Sequence, residues 1–312
     1  MGAPLRAWLG PARLPFLLLT PACLVLAVAW SAVALAAQGL SLSWADAGWC
    51  LLGALAAHVA VNALNEHGDF RSGLDLITQR TPFSGGSGAL PAHPELAGFA
   101  WWLGVGGLMV AAAIGCLLLW VHPGLWLRLM PLGLAGLLMA VAYTPWLTRR
   151  PWLCLMAPGL GFGPLMVWGT VWVLMPPPMA VDWHGLVLAT VPFALVNNLL
   201  LLNQFPDVEA DARSGRMTLP MRLGRRACLP WLALQYALAY GVLAVGCVLA
   251  WWPPGAALGL LTLPLAVRTW RVARRHAEDT VQLLPALGMN VAVALLTPSL
   301  IALGLFMGLR VA

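Results

Sequence analysis

Apolar runs long enough to cross a bilayer recur along the whole sequence. A membrane-spanning helix needs about 20 consecutive apolar residues, and such segments must be helical because lipid offers open backbone groups no partner. Nine runs can be counted, of which the eighth is short; they cover roughly 14–37, 47–65, 96–120, 126–147, 152–175, 184–205, 228–251, 255–269 and 283–309. No long linker divides them. The sequence therefore predicts an all-α, polytopic membrane protein of one domain, residues 1–312.

The charged residues predict the orientation of this bundle. All seventeen basic residues are arginine, in a chain that is only 9% charged. If the N-terminus is cytoplasmic, fifteen arginines lie inside and only Arg128 and Arg310 lie outside, which is the bias expected for cytoplasmic loops. We therefore expect a multi-pass protein of the cell (inner) membrane, N-in and C-out. The arginines are dispersed among short loops, so we expect membrane lipids as partners of the last group, 268–275, and no nucleic acid.

Two acidic segments follow apolar runs and resemble each other. The first contains Asn65, Asp69 and Asp75, and the second contains Asn203, Asp207 and Asp211. Both read Asn-x-x-x-Asp and continue into Arg-Ser-Gly, at 71–73 and 213–215. Both fall on the predicted cytoplasmic side. Two carboxylate clusters that face each other would repel unless a divalent cation lay between them, and hard oxygen ligands suit Mg²⁺.

Other polar residues surround these segments in the sequence. His58, Asn62, Asn65 and Asp69 are spaced to share one helix face, and His58 alone places an ionisable side chain well inside a predicted span. The stretch 80–88 is glycine-rich and can offer backbone N–H groups to an anion. Tyr143 precedes the pair Arg149 and Arg150 on the inner side. The six cysteines lie within or beside apolar runs without a C-x-x-C motif, so we interpret them as small packing residues.

The two acidic motifs resemble those of the UbiA superfamily of intramembrane prenyltransferases, over about residues 62–224. The six-residue spacing between Asp69 and Asp75 is similar to the MenA-like branch, which prenylates 1,4-dihydroxy-2-naphthoate. The segments 162–169 and 218–224 resemble that branch too. The resemblance implies about nine transmembrane helices around a central cavity. It further implies Mg²⁺-dependent transfer of a prenyl group from a polyprenyl diphosphate to an aromatic acceptor, in quinone and most specifically menaquinone biosynthesis.

Carried onto this sequence, the resemblance assigns the catalytic site to Asn65, Asp69, Asp75, Asn203, Asp207, Asp211 and Tyr143. The four aspartates would hold the metal. Diphosphate-binding arginines would be Arg71, Arg80, Arg150, Arg213 and Arg216, since arginine suits bidentate phosphate contacts. The chain departs from the family at Glu66, where an aspartate is usual, and near Pro151, where the branch has an acid that is absent here.

Three alternatives remain open at this stage. The acceptor could be another ring compound, such as 4-hydroxybenzoate, because the acid near Pro151 is missing. A transporter would need charged groups along a path through the midplane, whereas nearly all charges here cluster at one face. A non-catalytic lipid-binding relative would retain the motifs only as scaffold. The prenyl chain length and the oligomeric state are not indicated by the sequence.

Overall fold

The computed structural model describes residues 3–176, 179 and 183–309, and this part of the chain contains helices and no strand. We label the long helices in chain order: α1 Leu19–Ala36, α2 Trp44–Arg71, α3 Ala97–Val121, α4 Trp126–Tyr143, α5 Pro151–Leu160, α6 Gly169–Leu174, α7 Trp183–Arg213, α8 Leu229–Val248, α9 Leu263–His276 and α10 Thr280–Leu309. A π-helix, Gly161–Trp168, joins α5 to α6. The all-α prediction is confirmed.

Short helices fill the connections. Those of α type are Leu5–Leu9, Leu14–Leu17, Leu74–Ile77, Ala89–Ala92 and Leu219–Leu223. Those of 3-10 type are Gly10–Ala12, Pro94–Leu96, Pro123–Leu125, Leu147–Arg149, Arg226–Cys228 and Pro254–Thr262. Many begin with or contain proline, which fits the first turn of a helix because its missing N–H would be unpaired there anyway.

Eight helical segments of the described chain are long and apolar enough to cross a membrane. The eighth predicted run, 255–269, is also helical: the 3-10 helix Pro254–Thr262 continues into α9 and packs against α10. It differs from the eight because α9 carries four exposed arginines, which lower its hydropathy. Nine membrane crossings therefore stay a prediction. Arg310, one of the two arginines expected outside, lies beyond the described residues.

Helix α7 is the centre of the bundle. In its most apolar stretch 72% of the residues are buried, against 6% for the span that contains α4. Polar side chains fix α7 to its neighbours: the Asn198 Nδ2 donates to the Leu232 carbonyl of α8 (2.9 Å), and the Asn290 Nδ2 of α10 donates to the Asn198 carbonyl (2.8 Å). Because buried polar groups need partners in lipid, these contacts specify one helix arrangement.

Helices α2 and α3 approach closely through small residues. Gly104 and Gly107 of α3 lie against Leu64, Ala60 and the Ala56 carbonyl of α2, and leave no room for a larger side chain. Such contacts let two backbones approach in lipid, where van der Waals packing is a main source of helix association. This pairing fixes α2, whose last turn carries the first acidic motif.

Candidate active site

The two acidic motifs meet at one end of a long cavity. The cavity has a volume of about 830 Å³, and all seven residues predicted to be catalytic line it. They are Asn65, Asp69, Asp75, Asn203, Asp207, Asp211 and Tyr143. The helix ends explain this convergence, since α2, α4 and α7 all finish at the same end of the bundle. Arg128 lies in the first turn of α4, at the opposite end of the bundle.

The first motif spans a helix terminus. Asp69 lies in the last turn of α2 and is 5% exposed, and Asp75, 4% exposed, lies in the short helix after Gly73. Gly73 adopts a left-handed φ of 78°, which lets the chain turn back toward the cavity. The Asn65 Nδ2 donates to the Thr144 Oγ1 (3.2 Å) and so connects this motif to the chain that follows α4. Burial, and then the charges of Glu66 and Asp69, raises the pKa of Asp75 to about 7.

A guanidinium lies between the two motifs. The Arg216 Nη2 contacts the Asp69 Oδ1, and its Nη1 lies 3.6 Å from the Asp211 Oδ1. Burial acts to lower the pKa of Arg216, but these carboxylates outweigh it and the pKa is raised above its ordinary value. The sequence predicted a divalent cation between the clusters, and this stays a prediction; in the described chain the Arg216 guanidinium contacts carboxylates of both motifs.

The other arginines predicted to bind diphosphate lie at the surface. Arg71, Arg80, Arg150 and Arg213 are exposed and do not line the cavity, and Arg150 stacks over the Trp146 ring at 5.4 Å. Their role as diphosphate ligands stays a prediction. Arg13, by contrast, lines the cavity beside the first motif, although the sequence assigned it only to topology. No short-range pattern could have placed it there, because it lies more than fifty residues before that motif.

The rest of the cavity is apolar and extends to the far end of the bundle. Its wall includes Ile114, Leu118, Leu129 and Val173, together with side chains of the π-helix. Within this wall, the His58 Nδ1 lies 2.8 Å from the Thr20 Oγ1, and its ring packs edge-on against Phe162 of the π-helix at 5.0 Å. His58 therefore has a hydrogen-bond partner. The π-helix, which forms at Pro158 and Pro164 because proline interrupts the regular ladder, is a feature often found at functional sites.

Several buried oxygen atoms in the acidic end have no hydrogen-bond partner among the described residues. They are the Asp75 Oδ2, the Asp207 Oδ1 and the Asn203 Oδ1, all on side chains that line the cavity. Buried acceptors without partners are costly, so a cation or donor is needed there. The described residues contain no cluster of three or more His, Cys, Asp or Glu side chains that could hold a metal ion on their own. The oxygen set nevertheless fits Mg²⁺, which binds through one or two carboxylates and completes its shell with waters and substrate phosphates.

Known proteins resemble this chain in sequence and in fold. The UbiA prenyltransferase family matches residues 24–294. The 1,4-dihydroxy-2-naphthoate octaprenyltransferase of Mycobacterium leprae is 33% identical over 178 residues, which cover 51% of this chain and 60% of that relative. The enzyme of the same name from Haemophilus influenzae is 26% identical and matches 83% of each chain.

The fold has a solved counterpart. A structure described as a UbiA homolog from Archaeoglobus fulgidus bound to DMAPP and Mg²⁺ superposes with a TM-score of 0.61, at 14% identity, over 95% of this chain and 98% of that one. The chain thus spans about 60% of the mycobacterial relative and nearly the whole of the archaeal structure. The family match covers most of the chain, including both acidic motifs. The protein belongs to the UbiA prenyltransferase family.

Proposed function

We propose that the protein transfers a prenyl group from a polyprenyl diphosphate to an aromatic acceptor, most specifically 1,4-dihydroxy-2-naphthoate. The observation that carries the proposal is the form of the cavity: an apolar channel the length of the bundle ends at four aspartates, of which Asp75 and Asp207 each have a buried oxygen without a partner in the described chain. An isoprenoid tail fits the apolar channel, and a metal-bound diphosphate fits the acidic end. The names of the two relatives support the acceptor.

Asp69, Asp75, Asp207 and Asp211 would hold Mg²⁺, as the archaeal structure's description as Mg²⁺-bound supports. When bound, the ion supplies positive charge to the leaving diphosphate oxygens. Arg216 lies between the motifs and can add a bidentate contact to the same oxygens. Charge that develops on the diphosphate is thereby stabilised at a fixed position, which is the main electrostatic means of lowering such a barrier.

The reaction that follows balances without a redox partner. The C–O bond between the prenyl carbon and the diphosphate breaks, and the diphosphate leaves with the electron pair. An electron pair of the acceptor ring forms the new C–C bond at the carbon that bears the carboxylate, which neutralises the prenyl cation. The bond from that carbon to the carboxylate then breaks, its electron pair restores the aromatic ring, and CO₂ leaves. Tyr143 lines the cavity at its acidic end, where its ring can face the reacting carbon. The buried channel keeps water from the cation.

The anionic acceptor requires a cation near the ring, and the structure changes which residues are available. By sequence, Arg149 and Arg150 are the best placed to supply this charge because they follow Tyr143, but both are exposed and neither lines the cavity. Arg13 and Arg216 are the arginines that line the cavity within the described chain. We therefore assign the acceptor carboxylate to the region between them, with 4-hydroxybenzoate as the alternative acceptor.

A transporter is disfavoured by the distribution of charge along the cavity. Its aspartates and arginines all lie at one end, and in the described chain no Asp, Glu or Arg side chain lines the channel beyond them, where His58 and Thr170 are polar residues in a mostly apolar wall. Transport of a charged solute would require partners further along the path. An active site at the cytoplasmic face fits the arginine distribution, and this orientation forms part of the proposal.

The direct test uses purified protein with a prenyl diphosphate, Mg²⁺ and each acceptor in turn. We expect a prenylated, decarboxylated product from dihydroxynaphthoate. Asp207→Asn should lower turnover by at least ~10²-fold, the scale of losing one strong transition-state contact. Asp279→Asn is the matched control, because Asp279 is exposed and distant from the cavity. If only 4-hydroxybenzoate gave a product, the assignment of dihydroxynaphthoate as the acceptor would be wrong. Full activity of Asp207→Asn would contradict the assignment of Asp207 to the active site.

A further inference from the structure

We propose that Glu66 is a positioning residue that latches the glycine-rich loop, residues 80–88, and the N-terminal segment, residues 10–13, over the acidic end of the cavity. Glu66 would thus act through these two segments, and not as a ligand of the metal. The proposal rests on the proposed function in one respect, since the loop that Glu66 holds is expected to cover a diphosphate.

Both carboxylate oxygens of Glu66 are already occupied by donors from the protein. The Oε1 accepts from the Ser87 backbone N–H at 2.7 Å and from the Arg13 Nε at 2.6 Å, and the Oε2 accepts from the Ser87 hydroxyl at 2.9 Å. The side chain is 0% exposed. The neighbouring Asp75 and Asp207 differ, because each has a buried oxygen without a partner in the described chain. Glu66 thus has donors from the protein on both of its carboxylate oxygens.

The latch joins three parts of the chain that are far apart in sequence. Arg13 is 53 residues before Glu66 and Ser87 is 21 residues after it. A second hydrogen bond also holds the N-terminal segment on α2: the Asn62 Nδ2, one turn before Glu66, donates to the Ala12 carbonyl at 3.0 Å. Arg13 adopts a left-handed φ of 50°, which is unfavourable for a residue with a side chain and indicates that surrounding contacts determine its conformation.

The loop held by Ser87 forms part of the wall of the acidic end. Ser84, Gly85 and Gly86 line the cavity. Gly86 has a φ of 74°, and a Cβ there would lie 2.9 Å from the Asp75 Oδ1, so the loop backbone lies directly on the carboxylates. On its other side the loop reaches α10: Phe83 packs against the hydrophobic core, and a Cβ on Gly288 of α10 would lie 3.3 Å from the Phe83 Cζ. The loop therefore bridges α2 and α10 across the end of the cavity.

The length of the glutamate side chain suits this role. An aspartate at position 66 would place its carboxylate one C–C bond, about 1.5 Å, further from the loop. Hydrogen bonds of 2.6–2.9 Å would lengthen beyond a useful range unless the loop or α2 moved. The chain's departure from the usual aspartate thus coincides with contacts that only the longer side chain makes.

The first test measures the latch without enzyme activity. Trypsin cleaves after arginine, and Arg80 is exposed at the start of the loop, so the rate of cleavage between residues 80 and 81 in detergent-solubilised protein reports loop opening. Glu66→Gln should raise this rate about tenfold, the factor that losing one charge-assisted hydrogen bond makes in an opening equilibrium. Glu66→Asp should raise it similarly. Glu95→Gln, at an exposed glutamate, is the matched control and should cleave at the wild-type rate.

The second test separates a latch from a metal ligand. In Glu66→Gln we expect the KM for prenyl diphosphate to rise about tenfold, with kcat within about twofold and with an unchanged half-saturating Mg²⁺ concentration. A metal ligand would instead lower kcat and shift the Mg²⁺ dependence. Ser87→Ala serves if Glu66→Gln folds poorly. It removes the hydroxyl's bond to the Glu66 Oε2 and the bond that this hydroxyl accepts from the Ala89 N–H, and it retains the Ser87 N–H bond and the Arg13 pair. It should open the loop by a smaller factor in the same direction.

The outcomes can be distinguished from failure of the proposed function. If trypsin cleaved Glu66→Gln at the wild-type rate, or if the variant had a shifted Mg²⁺ dependence, the latch would be wrong. This holds whether or not the proposed substrates are correct. If the wild-type protein turns over no prenyl diphosphate, the proposed function fails. Tryptic opening of the Glu66 variants would still establish the latch in that case.

Discussion

Replacing Arg216 by glutamine should destabilise the metal-free protein more than the replacement of an exposed arginine near the site. Arg216 contacts Asp69 and Asp211, which are 5% and 3% exposed. Glutamine keeps a polar side chain of similar length but removes the charge, so two buried carboxylates lose their counter-cation. Removing one partner of a buried ion pair costs about 3–5 kcal/mol. At roughly 2 °C per kcal/mol for a chain of this size, the unfolding midpoint should fall by about 6–10 °C.

The measurement is thermal unfolding in detergent with EDTA present, followed by the intrinsic fluorescence of the 17 tryptophans. Arg213→Gln is the matched control: Arg213 is the last residue of α7, three positions before Arg216, is exposed, and its replacement should shift the midpoint by less than about 2 °C. The double variant Arg216→Gln with Asp69→Asn should recover part of the loss, because one of the unpaired charges is removed. Mg²⁺ should stabilise Arg216→Gln more than it stabilises the wild-type protein, since it replaces the lost cation.

Two results would refute this reasoning. Equal midpoints for Arg216→Gln and Arg213→Gln would mean that the ion pairs do not stabilise the acidic end. A double variant that is less stable than either single variant would mean that Asp69 stabilises the protein through contacts other than Arg216. Either result would also weaken the assignment of Arg216 to the diphosphate, because that role depends on its position between the motifs.

Three further predictions concern packing, orientation and metal. Gly107→Ala should destabilise the protein by about 1–3 kcal/mol, because its Cβ would lie 2.7 Å from the Ala56 carbonyl oxygen, whereas Gly106→Ala, with open space around it, should cause no loss in the same unfolding assay. Single cysteines at Ser84 and Ser214, in a background without the native cysteines, should react with a membrane-impermeant thiol reagent only in inside-out vesicles; labelling in intact cells would contradict the N-in orientation. EDTA should abolish turnover and added Mg²⁺ should restore it, while activity undiminished by the chelator would argue against metal dependence.

Much of the fold and part of the site follow from the sequence alone. Membrane helices are determined locally, because each apolar run must satisfy its own backbone hydrogen bonds in lipid. The two acidic motifs end such runs on the same predicted side. The alternation of inside and outside loops along the chain was therefore sufficient to expect that Asp69 and Asp207 lie close together. All seven predicted catalytic residues do line one cavity.

The tertiary structure decided which charges face the cavity. Arg71, Arg213 and Arg216 all lie beside an acidic motif in the sequence, but of these three only Arg216 contacts carboxylates of both motifs, while the other two are exposed. The contact of Arg13 with Glu66 joins residues 53 positions apart, and its existence depends on how the N-terminal segment packs on α2. Side-chain direction and long-range contacts are set by helix packing and rotamers, and these have no signature in a local pattern. The sequence by itself determined that the apolar runs form helices and where the acidic motifs follow them, whereas packing determined which neighbouring side chains face the cavity beside those motifs.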